Sequence, residues 1–124
     1  MRNKDWLQPE HFEVLRRHGV VHVLNNWSMM PSVNEQMQLA GSETSDSMVA
    51  ARFLLKPGRS YEEAVEQFSP YKGVKEVNAE ARSASAELVK QAKQKGKQAF
   101  IYVNNRLEGN ALETIAAMTD AVDA

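Results

Sequence analysis

Three places in this chain put polar or charged side chains directly after an apolar run. Asn25, Asn26 and Trp27 follow Val20-Val21-His22-Val23-Leu24, and Lys56, Gly58 and Arg59 follow Arg52-Phe53-Leu54-Leu55. Asn104, Asn105 and Arg106 follow Ala99-Phe100-Ile101-Tyr102-Val103. Lys56, Arg59 and Arg106 are cations, and Gly58 and Gly109 let backbone approach closely. With the unpaired N–H groups of a helix opening near Asn110, they are the parts of an anion site for a phosphorylated or carboxylated small molecule. The competing reading makes Arg59 and Arg106 solvated loop charges and leaves the glycines to shape turns. Asn104 and Asn105 can bond a neutral ligand such as a sugar, or they can cap the strand end and the turn, as asparagine often does. Asn25 and Asn26 carry the same two readings. Trp27 can stack on a ligand ring, or pack beside Met29 and Met30.

Arg52 stands inside an apolar strand, where an unpaired charge is costly. It is expected to point inward and meet a carboxylate. No acidic residue lies within the strands, so the partner is a group from outside them or a bound anion. The alternative is an ion pair that only fixes strand position. His22, the one histidine in a strand, reads as a satisfied core residue, with His11 and His18 at the surface of the first helix. Glu108 is the acidic residue close to a strand end; it can act as an acid or base, or brace Arg106. No spacing matches a metal site, and no nucleophile elbow, P-loop or dinucleotide fingerprint occurs. No catalytic residue or cofactor is assigned.

The elements that must position these groups follow from periodicity. Val20–Asn26, Ser47–Lys56 and Ala99–Asn104 read as strands; Val20–Asn26 is continuous rather than alternating in apolar character, as in a strand covered on both faces, and Ala99–Asn104 has the layout of a buried parallel strand. Helices are expected over Pro9–His18, from Ser32 to near Gly41, from Ser60 to Phe68, from Asn78 to about Lys95, and from Asn110 to about Val122. Ser32/Glu35, Ser60/Glu63 and Asn110/Glu113 have capping-box spacing. Ala81, Ala84, Leu88 and Ala92 form a narrow stripe suited to lying close on a sheet. Leu112, Ile115, Ala116 and Val122 are expected inward in the last helix. Strands alternating with helices imply an α/β fold with parallel pairing, which binds ligands at its C-terminal strand ends.

Composition narrows the function classes. The 124 residues fit a single domain, with 15 basic against 16 acidic side chains and no cysteine. Near-balanced charge gives no clear nucleic-acid signal. Absence of cysteine excludes disulfides and thiolate chemistry. The N-terminus lacks an apolar signal core, and no stretch approaches the roughly 20 apolar residues that span a bilayer, so a cytoplasmic protein is expected.

Four separated motifs carry a family resemblance over nearly the whole chain. Asn104-Asn105-Arg106-Leu107-Glu108-Gly109-Asn110-Ala111 resembles the C-terminal part of the YecE-like family, the domain of unknown function 72. Phe12 through Pro31 resembles that family's sixth strand region, Arg52 through Tyr61 its seventh, and Phe68-Ser69-Pro70-Tyr71 also fits. The resemblance implies a TIM-type (β/α) barrel of about twice this length. Residues 1–124 would then be one domain, a partial barrel whose three parallel strands are the last three βα units. Ligand binding is expected at Arg52, Lys56, Arg59, Asn104, Asn105, Arg106, Asn25 and Trp27. The remaining strands would come from a missing N-terminal half or from another copy of the chain. An enzyme acting on a small anionic molecule or sugar, and a non-catalytic module pairing through its open sheet edges, are both compatible with these residues.

Overall fold

Three short parallel strands form one sheet in the computed structural model, which describes residues 2–123. Met1 and Ala124, the ends of the expected domain, lie outside the described residues. The strands are β1 (Val23–Asn26), β2 (Met48–Phe53) and β3 (Gln98–Val103), in spatial order β1-β2-β3. The helices among the described residues are α1 (Pro9–Arg17), α2 (Val33–Met37), α3 (Tyr61–Phe68), α4 (Ala79–Gln94) and α5 (Ala111–Asp123), with a 3-10 turn at Lys4–Trp6. The α/β character and parallel pairing agree with the sequence. None of these helices is long and apolar enough to cross a membrane.

Each strand is trimmed for a local reason. Before β1, Gly19 takes a positive φ and Val20 N–H bonds back to Leu15 O, so these residues finish α1. The Thr44 hydroxyl then accepts from His22 N–H and donates to Val20 O, both at 2.7 Å, in place of a strand partner. At the end of β2, Leu54 and Leu55 both donate to Asn26 O, where β1 stops. Leu55 turns away into a separate cluster with Ala64 and Phe68, flanked by Trp27 and Tyr71. Helix α2 ends four residues short of Gly41, because Gln38 and Leu39 tighten to bonds three residues back.

The caps follow the sequence in part. Ser60 and Glu63 form a reciprocal capping box, and the Asn78 side chain accepts from Ala81 N–H. Ser32 accepts from Glu35 N–H. Asn110 accepts from Glu113 N–H, but the Glu113 carboxylate turns outward and accepts from Val74 N–H at 2.8 Å.

The helices cover one face of the sheet. Leu24, Val49, Ala51 and Phe53 pack there against Ala81, Ala84, Leu88 and Ala92, the stripe expected of α4. The register sets Val23, Ala50 and Phe100 side by side, and above them Asn25, Arg52 and Tyr102, on the opposite face. That second face is not covered at β3. Phe100 is 41% exposed and Tyr102 58%, against the expectation of a strand buried on both sides. No strand lies beyond β3 and no helix crosses its second face among the described residues.

Helix α5 is rotated relative to its hydrophobic pattern. Thr114 and Met118 face inward, while Leu112 is 79% and Ile115 44% exposed and Ala116 lies outside. The rotation is set by the Thr114 hydroxyl, which donates to the buried Glu108 carboxylate at 2.7 Å.

The two sheet edges differ. On the outer edge of β1, the fully buried Gln36 side chain accepts from Asn25 N–H at 3.3 Å and donates to Asn25 O at 2.9 Å, and also to Pro31 O at 2.9 Å. One amide thus stands in for a neighbouring strand. Replacing Gln36 by Leu strands two buried backbone groups and is expected to cost about 2 kcal/mol of stability. Urea unfolding with hydrogen exchange at the Asn25 amide checks this; an unchanged midpoint and a still-protected amide would contradict it.

Candidate functional site

The C-terminal strand ends gather the groups marked by the sequence, and most prove to be committed to the fold. Asn104 Oδ1 accepts from Arg106 N–H at 3.0 Å, closing the turn. Asn105 Oδ1 accepts from Ala111 N–H at 2.8 Å, and Asn110 Oδ1 takes Glu113 N–H at 3.0 Å. The α5 N–H groups expected to be open to an anion are therefore largely occupied by these asparagines. Gly109 does allow a close approach, but by the chain itself. At φ 120°, a Cβ there would stand 2.7 Å from Gly73 O. Lys75 and Glu76 N–H both donate to Glu108 O beside it.

The cations divide between two places. Arg59 Nη2 lies 2.7 Å and Lys56 Nζ 3.4 Å from the same Glu76 oxygen, while Gln67 Nε2 donates to the other at 2.9 Å. The bond from Arg59, then that from Gln67, pulls the Glu76 carboxyl down to about 2. Arg59 also lies over the Phe68 ring at 4.9 Å. Arg106 instead stacks on Tyr61 at 4.6 Å, its Nε buried with no hydrogen-bond partner. Trp27 is half-buried against the Leu55 cluster, with the Arg2 guanidinium 4.6 Å over its ring.

Asn25 and Asn26 are both buried, on opposite faces of β1. Asn26 opens on the helix-covered side into a cleft of about 270 Å³, with Ser32, Glu35, Lys56, Asn78 and Glu80 around it. Asn25 lies on the other face, in register with Arg52 and through it with Tyr102. Arg52 was expected to be an interior charge; it is exposed instead, and makes no hydrogen bond or ion pair among the described residues. The face that would have buried it is open. The arrangement can receive an anion, because a guanidinium there offers a planar fork with no competing carboxylate. Tyr102 is the member of this row that motif reading passed over. Its signal was parity: Phe100 and Tyr102 alternate with Ile101 and Val103, so they share a face.

Glu108 does not brace Arg106. Its carboxylate is 0% exposed and accepts from Arg82 Nε and Nη2 at 2.9 and 2.8 Å, from Asn78 N–H at 2.6 Å and from Thr114 Oγ1. Burial pushes this carboxyl up, but the bonds from Arg82, Thr114 and Asn78 outweigh it and hold it below the usual carboxylate range. A group tied this fully is a structural anchor. His22 is buried in the core, as expected, but it is not the satisfied residue expected, because its buried Nε2 has no hydrogen-bond partner among the described residues. Its ring meets Phe12 edge-on at 5.1 Å and His11 at 5.6 Å. Burial, then the neighbouring His11, draws its pKa down to about 4, so it is neutral at pH 7. His11 is not the surface residue expected, since its Nε2 is buried in the same cluster. No group of three His, Cys, Asp or Glu side chains is placed to hold a metal among the described residues.

Because Glu108 has a depressed folded pKa, its stabilisation is present above the unfolded value of 4.5 and is lost as pH falls through the lower folded value. Arg82 is only 25% exposed on its side chain, so Arg82→Ala is expected to cost about 3 kcal/mol near neutral pH. That penalty should shrink as pH falls from neutrality, because without Arg82 burial pushes the abandoned carboxyl up and lets it take a proton at a higher pH than in the wild-type chain. Denaturant unfolding at a series of pH values reads both; a penalty independent of pH would show that the pair is not the cause.

The whole chain matches the family described as protein of unknown function DUF72, over residues 1–124. No curated protein matches. Two crystal structures of a DUF72 family protein from Enterococcus faecalis share the fold. One has a TM-score of 0.67 and 17% identity, covering 100% of this chain and 46% of that one. The other has a TM-score of 0.64 and 17% identity, covering 99% and 47%. The chain thus spans less than half the length of these relatives. With its YecE-like motifs and a family match from the first residue to the last, this chain belongs to the DUF72 family, whose function is unknown.

Proposed function

We propose that this chain forms the last three βα units of a TIM-type (β/α) barrel and binds a small anionic or polar molecule on the open sheet face, near the C-terminal strand ends. The observation that carries this is Arg52: a cation in mid-strand, without a protein partner among the described residues, flanked in register by Asn25 and Tyr102. Barrel enzymes place their ligands at this end of the strands, and a resident anion would supply the counter-charge that Arg52 lacks among the described residues. Lys56, Arg59, Asn104, Asn105, Arg106 and Trp27 form the surrounding rim. Because Lys56 and Arg59 already share Glu76, they shape the rim's field more than they contact the ligand.

A second reading is favoured by the contrast between the edges. The β1 edge is closed by Gln36, whereas among the described residues β3 has no strand beyond it, and Gln98–Val103 carries no charge. A non-catalytic module that pairs with another polypeptide or another copy through β3 fits that contrast.

Two experiments separate the readings. Sulfate titrated into the chain, followed by amide chemical shifts, is expected to move signals around Arg52, and Arg52→Gln should weaken binding by about 10-fold or more, the scale of a charge-assisted hydrogen bond. Absence of binding, or equal binding by the variant, would overturn the first reading. For the second, sedimentation should show self-association that Phe100→Lys disperses; a concentration-independent monomer would rule out pairing between copies.

A further inference from the structure

We infer that the molecule held by Arg52 is a ring-bearing carboxylate, its carboxylate on the guanidinium and its ring laid against Phe100 and Tyr102. This rests on the anion-binding reading above and narrows it to a ligand class. Tyr102 is the register partner of Arg52 on the neighbouring strand, and Phe100 lies two residues earlier on the same face. Neighbouring strands are about 4.8 Å apart and alternate residues about 6.8 Å apart along a strand. Both rings therefore stand within one small molecule's length of the guanidinium.

Their exposure is the second observation. Phenylalanine is among the residues most often buried, yet Phe100 is 41% and Tyr102 58% exposed, while Ile101 and Val103 between and beyond them are packed against the core. Two aromatic surfaces beside an unpaired cation suit a ligand with a flat apolar body and one negative end. An inorganic anion would use the cation and leave the rings idle. A dicarboxylate would bring a second charge onto apolar surface, where no second free cation meets it among the described residues. The Tyr102 hydroxyl adds a donor at the polar end of the platform. The same chemistry is offered by an aromatic acid, which stacks through its π face, and by a sugar acid, which stacks through its C–H face.

The test titrates the full chain with acetate, benzoate and glucuronate, followed by amide chemical shifts, with the amide spectrum of each variant confirming that it is folded. Benzoate, glucuronate or both are expected to bind about 10-fold tighter than acetate, and whichever of the two wins identifies the source of the ring. Arg52→Gln should lose all three, and Phe100→Leu should bring the ring preference down toward unity. If all three bind equally and still depend on Arg52, the ring inference falls and the anion reading stands. If none binds, or binding ignores Arg52, the anion reading itself falls.

Discussion

The Glu108 carboxylate organises the end of this sheet. It is wholly buried, it is charged, and its oxygens are taken up by Arg82, Thr114 and the Asn78 amide. Those bonds join the turn after β3 to the start of α4 and the first turns of α5. Its backbone carbonyl adds the segment around Lys75 and Glu76, which Gly109 alone could admit so closely. A buried charge is tolerated only when its hydrogen-bonding capacity is filled, so these partners are held in one arrangement. Asn104, Asn105 and Arg106 inherit their positions from it, and so does Glu76, whose carboxylate gathers Lys56 and Arg59.

This explains why the basic groups at the rim are less available than their sequence suggests. A cluster of cations near strand ends is an anion site only if its charges are uncommitted. Here one carboxylate, Glu76, engages two of them, and Tyr61 carries the third through its ring face. Arg52 escapes because it lies in mid-strand on the open side of the sheet, where no acidic side chain among the described residues pairs with it. The uncommitted cation thus lies on the open face rather than at the rim.

The sheet itself is asymmetric. One face carries the core, and the other is covered near β1 and bare at β3. Gln36 closes one edge with a single side chain, while the other edge keeps its alternating aromatic residues in view. A family relative more than twice as long shares this fold.

What the sequence by itself determined is what depends on neighbours along the chain. The order of strands and helices, the caps at Ser60 and Asn78, the α4 stripe and the family motifs all rest on spacing of a few residues, where backbone geometry dictates the outcome. The core role of His22 was legible too, because a lone histidine in an apolar run has little else to do. Other features were decided only by tertiary structure. Leu112 and Ile115 form a better apolar pattern than Thr114 and Met118, yet Thr114 faces inward because Glu108 holds its hydroxyl. Arg82 is one polar residue among many on α4 until the turn after β3 sets a carboxylate beside it. The freedom of Arg52 and the commitment of Arg59 look alike as letters. Charges find their partners across distances in space that the chain order does not encode, and only the packed fold settles which pairs meet.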